Sequence, residues 1–228
     1  MISKSRHLAA QRAYSATLGR GAHTLAVTGS QPDAGSTDLA FDIAAAGAGF
    51  GKRVLLVRAH LTGAEMARQA DIGIGLEDVR AASQPAANML WTIDVPAGTS
   101  LHALLNDGQG LPAASAQWLA FFDSIVFDCP PFEAHQPALY TPMTASAAEA
   151  LLLVTMPGAM ARGGMEEVLK WLTESGAVVS ALVLNDRLNP TLAQEMIREA
   201  NRLRRVAPAL VRYITRKVEG WPALNMHQ

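Results

Sequence analysis

Six short apolar runs punctuate this 228-residue chain, and helical patterns separate most of them. The runs are Thr24–Thr28, Val54–Val57, Trp91–Val95, Ser124–Asp128, Ala150–Val154 and Val178–Leu184; the helical patterns are Thr37–Ala48, Leu111–Phe122, Gly163–Ser175 and Thr191–Val206. Runs that stay apolar instead of alternating with polar residues need burial on both faces, and strands that alternate with helices return in parallel. The expected fold is therefore α/β, a mostly parallel central sheet with helices on both faces, in three layers. Half of the residues are apolar, enough for a well-buried core. With no tandem repeat and no low-complexity linker, residues 1–228 read as a single domain, opened by a basic helical segment (1–22) and closed by a basic helix and tail (208–228). The least regular stretch is Ala59–Asn88, with short helices expected near Ala64–Ala70 and Gly75–Ala82.

Residues 24–37, Thr-Leu-Ala-Val-Thr-Gly-Ser-Gln-Pro-Asp-Ala-Gly-Ser-Thr, give the first strand a chemical meaning. A β run enters a Gly-, Pro- and Asp-rich turn, and an alanine-rich helix starts at Ser36 or Thr37. This is the strand–loop–helix setting of a Walker A phosphate loop, Gly-x-x-x-x-Gly-Lys-Ser/Thr. Ser30 stands at the first glycine, Gly35 at the second, Ser36 at the lysine and Thr37 at the metal-ligand hydroxyl. Such loops hold phosphate with successive backbone amides at a helix N-terminus, and the lysine adds a point charge on the outer phosphates. Here that charge is absent, and Asp33 adds a carboxylate. If Asp33 faced the ligand, the repulsion between two unit charges 4 Å apart would be about 4 kcal/mol at an effective dielectric of 20. The same residues also suit an ordinary strand-to-helix turn.

Three further strand ends carry polar groups. Asp128 closes an apolar strand at its carboxyl end, where open α/β sheets bind ligands and where a Walker-type carboxylate holds magnesium. Arg58 and His60 follow the Val54–Val57 run and could receive an anion, pair with a carboxylate or face solvent. Asn185 ends the last run, where an amide can read a base edge or simply form a turn. Cys129 lacks a neighbouring histidine and reads as a small residue in a turn. As the one cysteine it excludes an internal disulfide and suits a reducing compartment. The six histidines show no metal-ligand spacing. Gly47, Gly49 and Gly51 follow a helix rather than a strand, which excludes a dinucleotide fingerprint.

Taken in order, these pieces resemble the cytoplasmic tyrosine-kinase domain of bacterial capsule and exopolysaccharide systems, within the MinD/ParA group of deviant Walker ATPases. The resemblance covers most of the chain. It is carried by Val27-Thr28, Pro32, Gly35 and Thr37, by Gly51-Lys52-Arg53-Val54-Leu55-Leu56-Val57, by Pro96-Ala97-Gly98-Thr99, by Phe122–Pro131, and by Val183-Leu184-Asn185. It implies a P-loop NTPase-like fold, a nucleotide site at Gly35, Ser36, Thr37 and Asn185, and a magnesium site at Thr37 and Asp128.

The departures from that family bear on activity. Ser36 replaces the lysine, and Asp33 a loop glycine. Arg58-Ala59-His60 stands where the family has Asp-Ala-Asp. The C-terminal tyrosine cluster is reduced to Tyr213, and the N-terminal Glu-x-x-Arg-x-x-Arg to scattered Arg6 and Arg12. Phosphoryl transfer is almost entirely positioning and electrostatics. The resemblance therefore implies a protein with no catalytic residues and a vestigial site, holding no cofactor or residual ATP or ADP with magnesium. The implied partners are the cytoplasmic part of a membrane chain-length or polysaccharide-export protein, the inner-membrane surface and further copies of the chain. The implied location is the cytoplasm, at the periphery of the inner membrane. Two alternatives are an active ATPase or tyrosine kinase in which Arg58 or Lys52 replaces the lysine, and a MinD/ParA-type positioning ATPase.

Charge distribution separates the two termini from the rest. The net charge of −1 gives no global field toward nucleic acid, and no apolar run reaches the roughly 18 residues a membrane span needs. No acidic residue precedes Asp33, whereas Lys4, Arg6, Arg12 and Arg20 do. That composition resembles a transit peptide, but reads more simply as a basic amphipathic helix packed on the domain. Residues 198–217 carry seven basic residues against Glu199, and Leu203, Val206, Leu210, Ile214 and Val218 form a helical apolar stripe. The strip is expected either to be a solvated face or to dock on an acidic surface.

Overall fold

The structure, a computed structural model, describes residues 4–59, 71–132, 141–156, 162–185, 200 and 217–218. The chain divides into two compact units, residues 1–155 with 160–183 and residues 156–159 with 184–228. The sheet and its covering helices lie in the first unit, apart from the last residue of the last strand.

Seven strands form one sheet: β1 (Thr24–Gly29), β2 (Val54–Arg58), β3 (Gln84–Ala87), β4 (Leu90–Asp94), β5 (Ser124–Asp128), β6 (Ala150–Thr155) and β7 (Val179–Leu184). Their order is β3-β4-β2-β5-β1-β6-β7. β4, β2, β5, β1 and β6 run parallel to one another, and β3 pairs with β4 antiparallel. All six expected runs are strands. β3 was not expected: its sequence, Gln-Pro-Ala-Ala, has no strand periodicity and all four residues are exposed. It is made by a two-residue return onto β4, and Pro85 is tolerated because the strand is an edge.

The strand period of two sorts the core into two layers. Leu25, Val27, Val54, Leu56, Val126, Leu152 and Val154 pack with α2 (Ser36–Gly49) and α1 (Lys4–Ala16). The intervening Ala26, Leu55, Val57, Ile125, Phe127, Leu151 and Leu153 pack against the opposite layer. That layer is built from α3 (Leu76–Ala82), α4 (Ser100–Leu105), α5 (Gly110–Trp118) and α7 (Arg162–Glu174), with α6 (Thr141–Ala147) beside them. Helices thus cover both faces, as the apolar strands require. Small residues on α2 (Ala40, Ala44, Gly47) let it lie close to the sheet. A Cβ at Gly47 would come within 2.9 Å of the Tyr14 ring and 3.0 Å of Val54.

The helices differ from expectation in one boundary and two additions. α5 ends at Trp118, and residues 119–122 turn so that the Phe122 ring is buried beside Trp91. α4 and α6 are too short for a helical period to show in the sequence. The expected helices at Ala64–Ala70 and Thr191–Val206 and the basic strip fall almost wholly outside the described residues, as do His60 and Tyr213. The N-terminal segment is a helix packed on the domain. Arg6 bonds the buried Asp42 carboxylate on α2 and also pairs with Asp38 at 3.2 Å.

Candidate functional site

The carboxyl ends of β4, β2, β5, β1 and β6 lie side by side in that order and bring Asp94, Arg58, Asp128, the loop after Gly29, and Thr155 to one edge. The loop is shaped by local constraints. A Cβ at Gly29 would sit 2.8 Å from the Gln31 carbonyl oxygen, 3.1 Å from Ala34 Cβ and 3.4 Å from Pro131 Cβ, so only glycine leaves β1 here. Pro131 is part of the Pro-Pro pair that follows Asp128, which accounts for the two segments meeting. Ser30, at the first-glycine position, is fully buried. Its amide donates to the Val154 carbonyl (2.8 Å) and its hydroxyl to Thr155 Oγ1 (2.9 Å), tying the loop to β6.

Asp33 has φ 59° and Gly35 φ 85°, both left-handed. Asp is among the few residues that accept this region without a large penalty, so Asp33 can occupy the loop without a glycine's freedom. Its side chain is exposed. α2 starts at once: Gly35 caps it, and Ser36 is buried in its first turn. Thr37 Oγ1 donates to Asp128 Oδ1 at 3.3 Å, and Asp128 is fully buried. The two residues expected to hold magnesium, 91 positions apart, are therefore in contact. Thr28 and Thr141 both donate to the Pro130 carbonyl (2.7 and 2.8 Å), fixing the chain that follows Asp128.

On the other side of Asp128 the charges are different. Arg58 and Asp128 are register partners on β2 and β5, and Arg58 and Asp94 are partners on β2 and β4. Counting by two from Leu56, Val126 and Leu90, which all face α2, puts Arg58, Asp128 and Asp94 on that same face. The guanidinium grips the Asp94 carboxylate with two contacts, Nε to Oδ1 at 2.6 Å and Nη2 to Oδ2 at 3.0 Å. Asp94 was not singled out in the sequence. The rule that picks out Asp128, a carboxylate closing an apolar strand, also picks out Asp94 at the end of Leu90–Asp94. The Pro-Ala-Gly segment beyond it is a turn: Gly98 has φ 85°, and Thr99 bonds the Pro96 carbonyl and the His102 amide as it caps α4.

Lys52 is excluded as a stand-in for the missing lysine. It precedes β2 and so lies at the opposite edge of the sheet from Arg58, six residues or about 20 Å away at the parallel-strand rise. Asn185 belongs to the second unit, while Gly35, Ser36, Thr37 and Asp128 belong to the first. Cys129 is buried, and burial pushes its thiol well above its ordinary range, so it is no nucleophile.

The donor set can be tested against a magnesium nucleotide. The Thr37 hydroxyl and Asp128 carboxylate are oxygen ligands of the kind magnesium takes. Ser36 offers the phosphates no cation, and the second carboxylate on this face, Asp94, is engaged by Arg58. As a set, these residues do not fit a magnesium nucleotide.

No protein-family model and no curated protein matches the chain. Solved structures do. The chimerical protein CapA2B2 superposes with a TM-score of 0.61 at 14% identity, over 77% of this chain and 82% of that one. The kinase domain of the Escherichia coli tyrosine kinase ETK gives 0.56 at 20% identity, over 72% and 67%. A ParA family ATPase from Chlorobium tepidum gives 0.53 at 14%, over 88% and 100%. The fold is P-loop NTPase-like. In this P-loop-like chain, the carboxyl edge of the sheet brings together the loop from Gly29 to Ser36, Asp128 and the Arg58–Asp94 pair.

Proposed function

We propose that this P-loop-like protein is a non-catalytic regulatory or scaffolding component of bacterial exopolysaccharide or capsule biosynthesis and export. Its partner in this reading is the cytoplasmic part of a membrane chain-length or export protein. The reading is carried by one observation: Arg58, the basic side chain that ends β2 at the carboxyl edge, is gripped by Asp94, while Ser36 leaves the loop without a cation. Phosphoryl transfer needs the charge of the transferring group neutralised as it moves. An active-enzyme reading would need Arg58 to serve two anions at once.

The polysaccharide branch is supported by Pro130-Pro131, whose Pro131 abuts Gly29, and by the Pro96–Thr99 turn that follows Asp94. Among the described residues no helix is long and apolar enough to cross a membrane, so attachment to one would go through the partner or the basic strip at 198–217. The purified protein should hydrolyse ATP no faster than a buffer control. Magnesium-dependent turnover that an Asp128→Ala change abolishes would sink the reading. The double change Asp33→Gly, Ser36→Lys should bring measurable ADP binding by calorimetry, because the loop backbone already has left-handed residues where it needs them. Pull-down with the cytoplasmic tails of chain-length proteins tests the partner, with Arg202, Arg204 and Arg205 changed to Glu in a parallel sample.

A further inference from the structure

We propose that β7 is the surface on which two copies of this chain pair, antiparallel and about a two-fold axis at Ala181, joining their sheets edge to edge. The inference goes beyond the functional reading and does not depend on it. The two edges of the sheet are built differently. β3 carries the devices that keep an edge strand from pairing: it has four residues, contains Pro85 and shifts register between Pro85 and Ala87. β7 has none of them. Its six residues are Val-Ser-Ala-Leu-Val-Leu, without proline or charge, and among the described residues the sheet ends there. Its side chains alternate between half-buried and exposed. Ala181 and Val183 pack against the core shared with α1 and α2, so Leu182 and Leu184 turn to the opposite side. Nothing covers them: Leu182 is 51% exposed, Leu184 62% and the preceding Val178 75%. An apolar strand at an open edge is a template for another strand.

The chemistry of β7 selects the occupant. With no charge it gives an acidic or a basic segment no complement, and it fits an apolar strand. Residues 178–184 supply one to each other, because the run is nearly the same read in either direction. Setting Ala181 opposite Ala181 of the second copy puts Val178 opposite Leu184, Val179 opposite Val183 and Ser180 opposite Leu182. Exposed residues then meet exposed residues and half-buried ones meet half-buried ones. A slip that set residues 181 and 182 opposite each other would break that match along the whole strand. The pairing is isologous, so it closes at two copies.

The test is analytical ultracentrifugation of the full chain over a dilution series. Wild type should be dimeric at tens of micromolar and dissociate on dilution. Leu182→Lys and, separately, Val178→Lys should each raise the dissociation constant by about tenfold or more, because a charge would be buried against apolar side chains. Both positions are exposed in the single copy, so thermal unfolding of these variants at dilutions where wild type is monomeric should match wild type. Ala181→Cys should form a disulfide-linked dimer on oxidation. Opposed residues of an antiparallel pair have Cα atoms about 4.5–5.5 Å apart, within disulfide reach, and the native Cys129 is buried and does not compete. The proposal is overturned if wild type is monomeric at every concentration, as it would be if another strand, from this chain or another protein, occupied the edge. It is also overturned if both lysine substitutions leave the dimer as tight as wild type, or if Ala181→Cys links no better than wild type.

Discussion

The two walls of the crevice meet at Asp128 and follow different logics. On the β1–α2 side, backbone geometry dominates: Gly29 is squeezed between Gln31, Ala34 and Pro131, Asp33 and Gly35 are left-handed, and Ser30 is bonded to β6. On the β2–β4 side, side-chain charge dominates, through the Arg58–Asp94 pair. The first wall is a strand-to-helix loop that carries no lysine or arginine. The second carries one positive and one negative group, paired with each other. A loop's conformation is set by a few glycines and packing contacts, so its path does not depend on the charge of the residue at position 36. The electrostatic character of a strand end is set by one or two exposed residues, so it can be inverted without disturbing the sheet.

The comparison predicts unequal sensitivity to substitution. Gly29→Ala should have the largest effect, destabilising the protein by about 3 kcal/mol in denaturant unfolding, because the nearest obstacle is a backbone oxygen that cannot rotate away. A cost below about 1 kcal/mol would mean the β1 wall is less rigid than described. Thr37→Val should cost about 1.5–2 kcal/mol, for one hydrogen bond to a buried carboxylate. Loss of several times that amount would shift weight from shape to polar contacts on this wall.

On the other wall, a double-mutant cycle with Arg58→Met and Asp94→Asn should give a coupling of only about 0.2–1 kcal/mol, because both side chains are more than one-third exposed. The coupling should shrink in high salt. A coupling unaffected by salt would mean the pair is shielded from solvent, and would make it a structural element like the loop opposite. The smallest effect concerns the amino edge of the sheet. There Arg53 bonds Asp123 through its side chain and its amide and holds that carboxyl below its ordinary value of 3.8. A depressed carboxyl adds stability above its unfolded value, and that stability is lost as pH falls through the folded value. Asp123→Asn should therefore lower stability slightly near neutrality and flatten the unfolding curve below about pH 4. An unchanged acid limb would remove this pair from the account.

The layered fold could be read from the sequence because burial on both faces leaves a mark on every residue of a strand. Leu55 and Leu56 must both be apolar when α2 covers one side and the α4–α5 layer the other. The β1–α2 loop was legible for a similar reason, since its constraints are local: Pro32, Gly35 and Thr37 lie within a few residues of one another. Edge and connecting elements were not legible. β3 exists because β4 offers it an edge, and α4 and α6 because the core needs covering there, although neither spans two full turns.

At the site, the sequence alone determined which charges exist: no lysine or arginine in the loop from Gly29 to Thr37, an arginine ending β2, and carboxylates ending β4 and β5. Tertiary structure decided what those charges do. Arg58 could have reached an anion, a carboxylate or solvent, and strand order settled the matter by placing β4, and hence Asp94, beside β2. It placed Thr37 on Asp128, 91 residues away. Those outcomes depend on which strands are neighbours. That information comes from long-range pairing and leaves no trace in any local window of sequence.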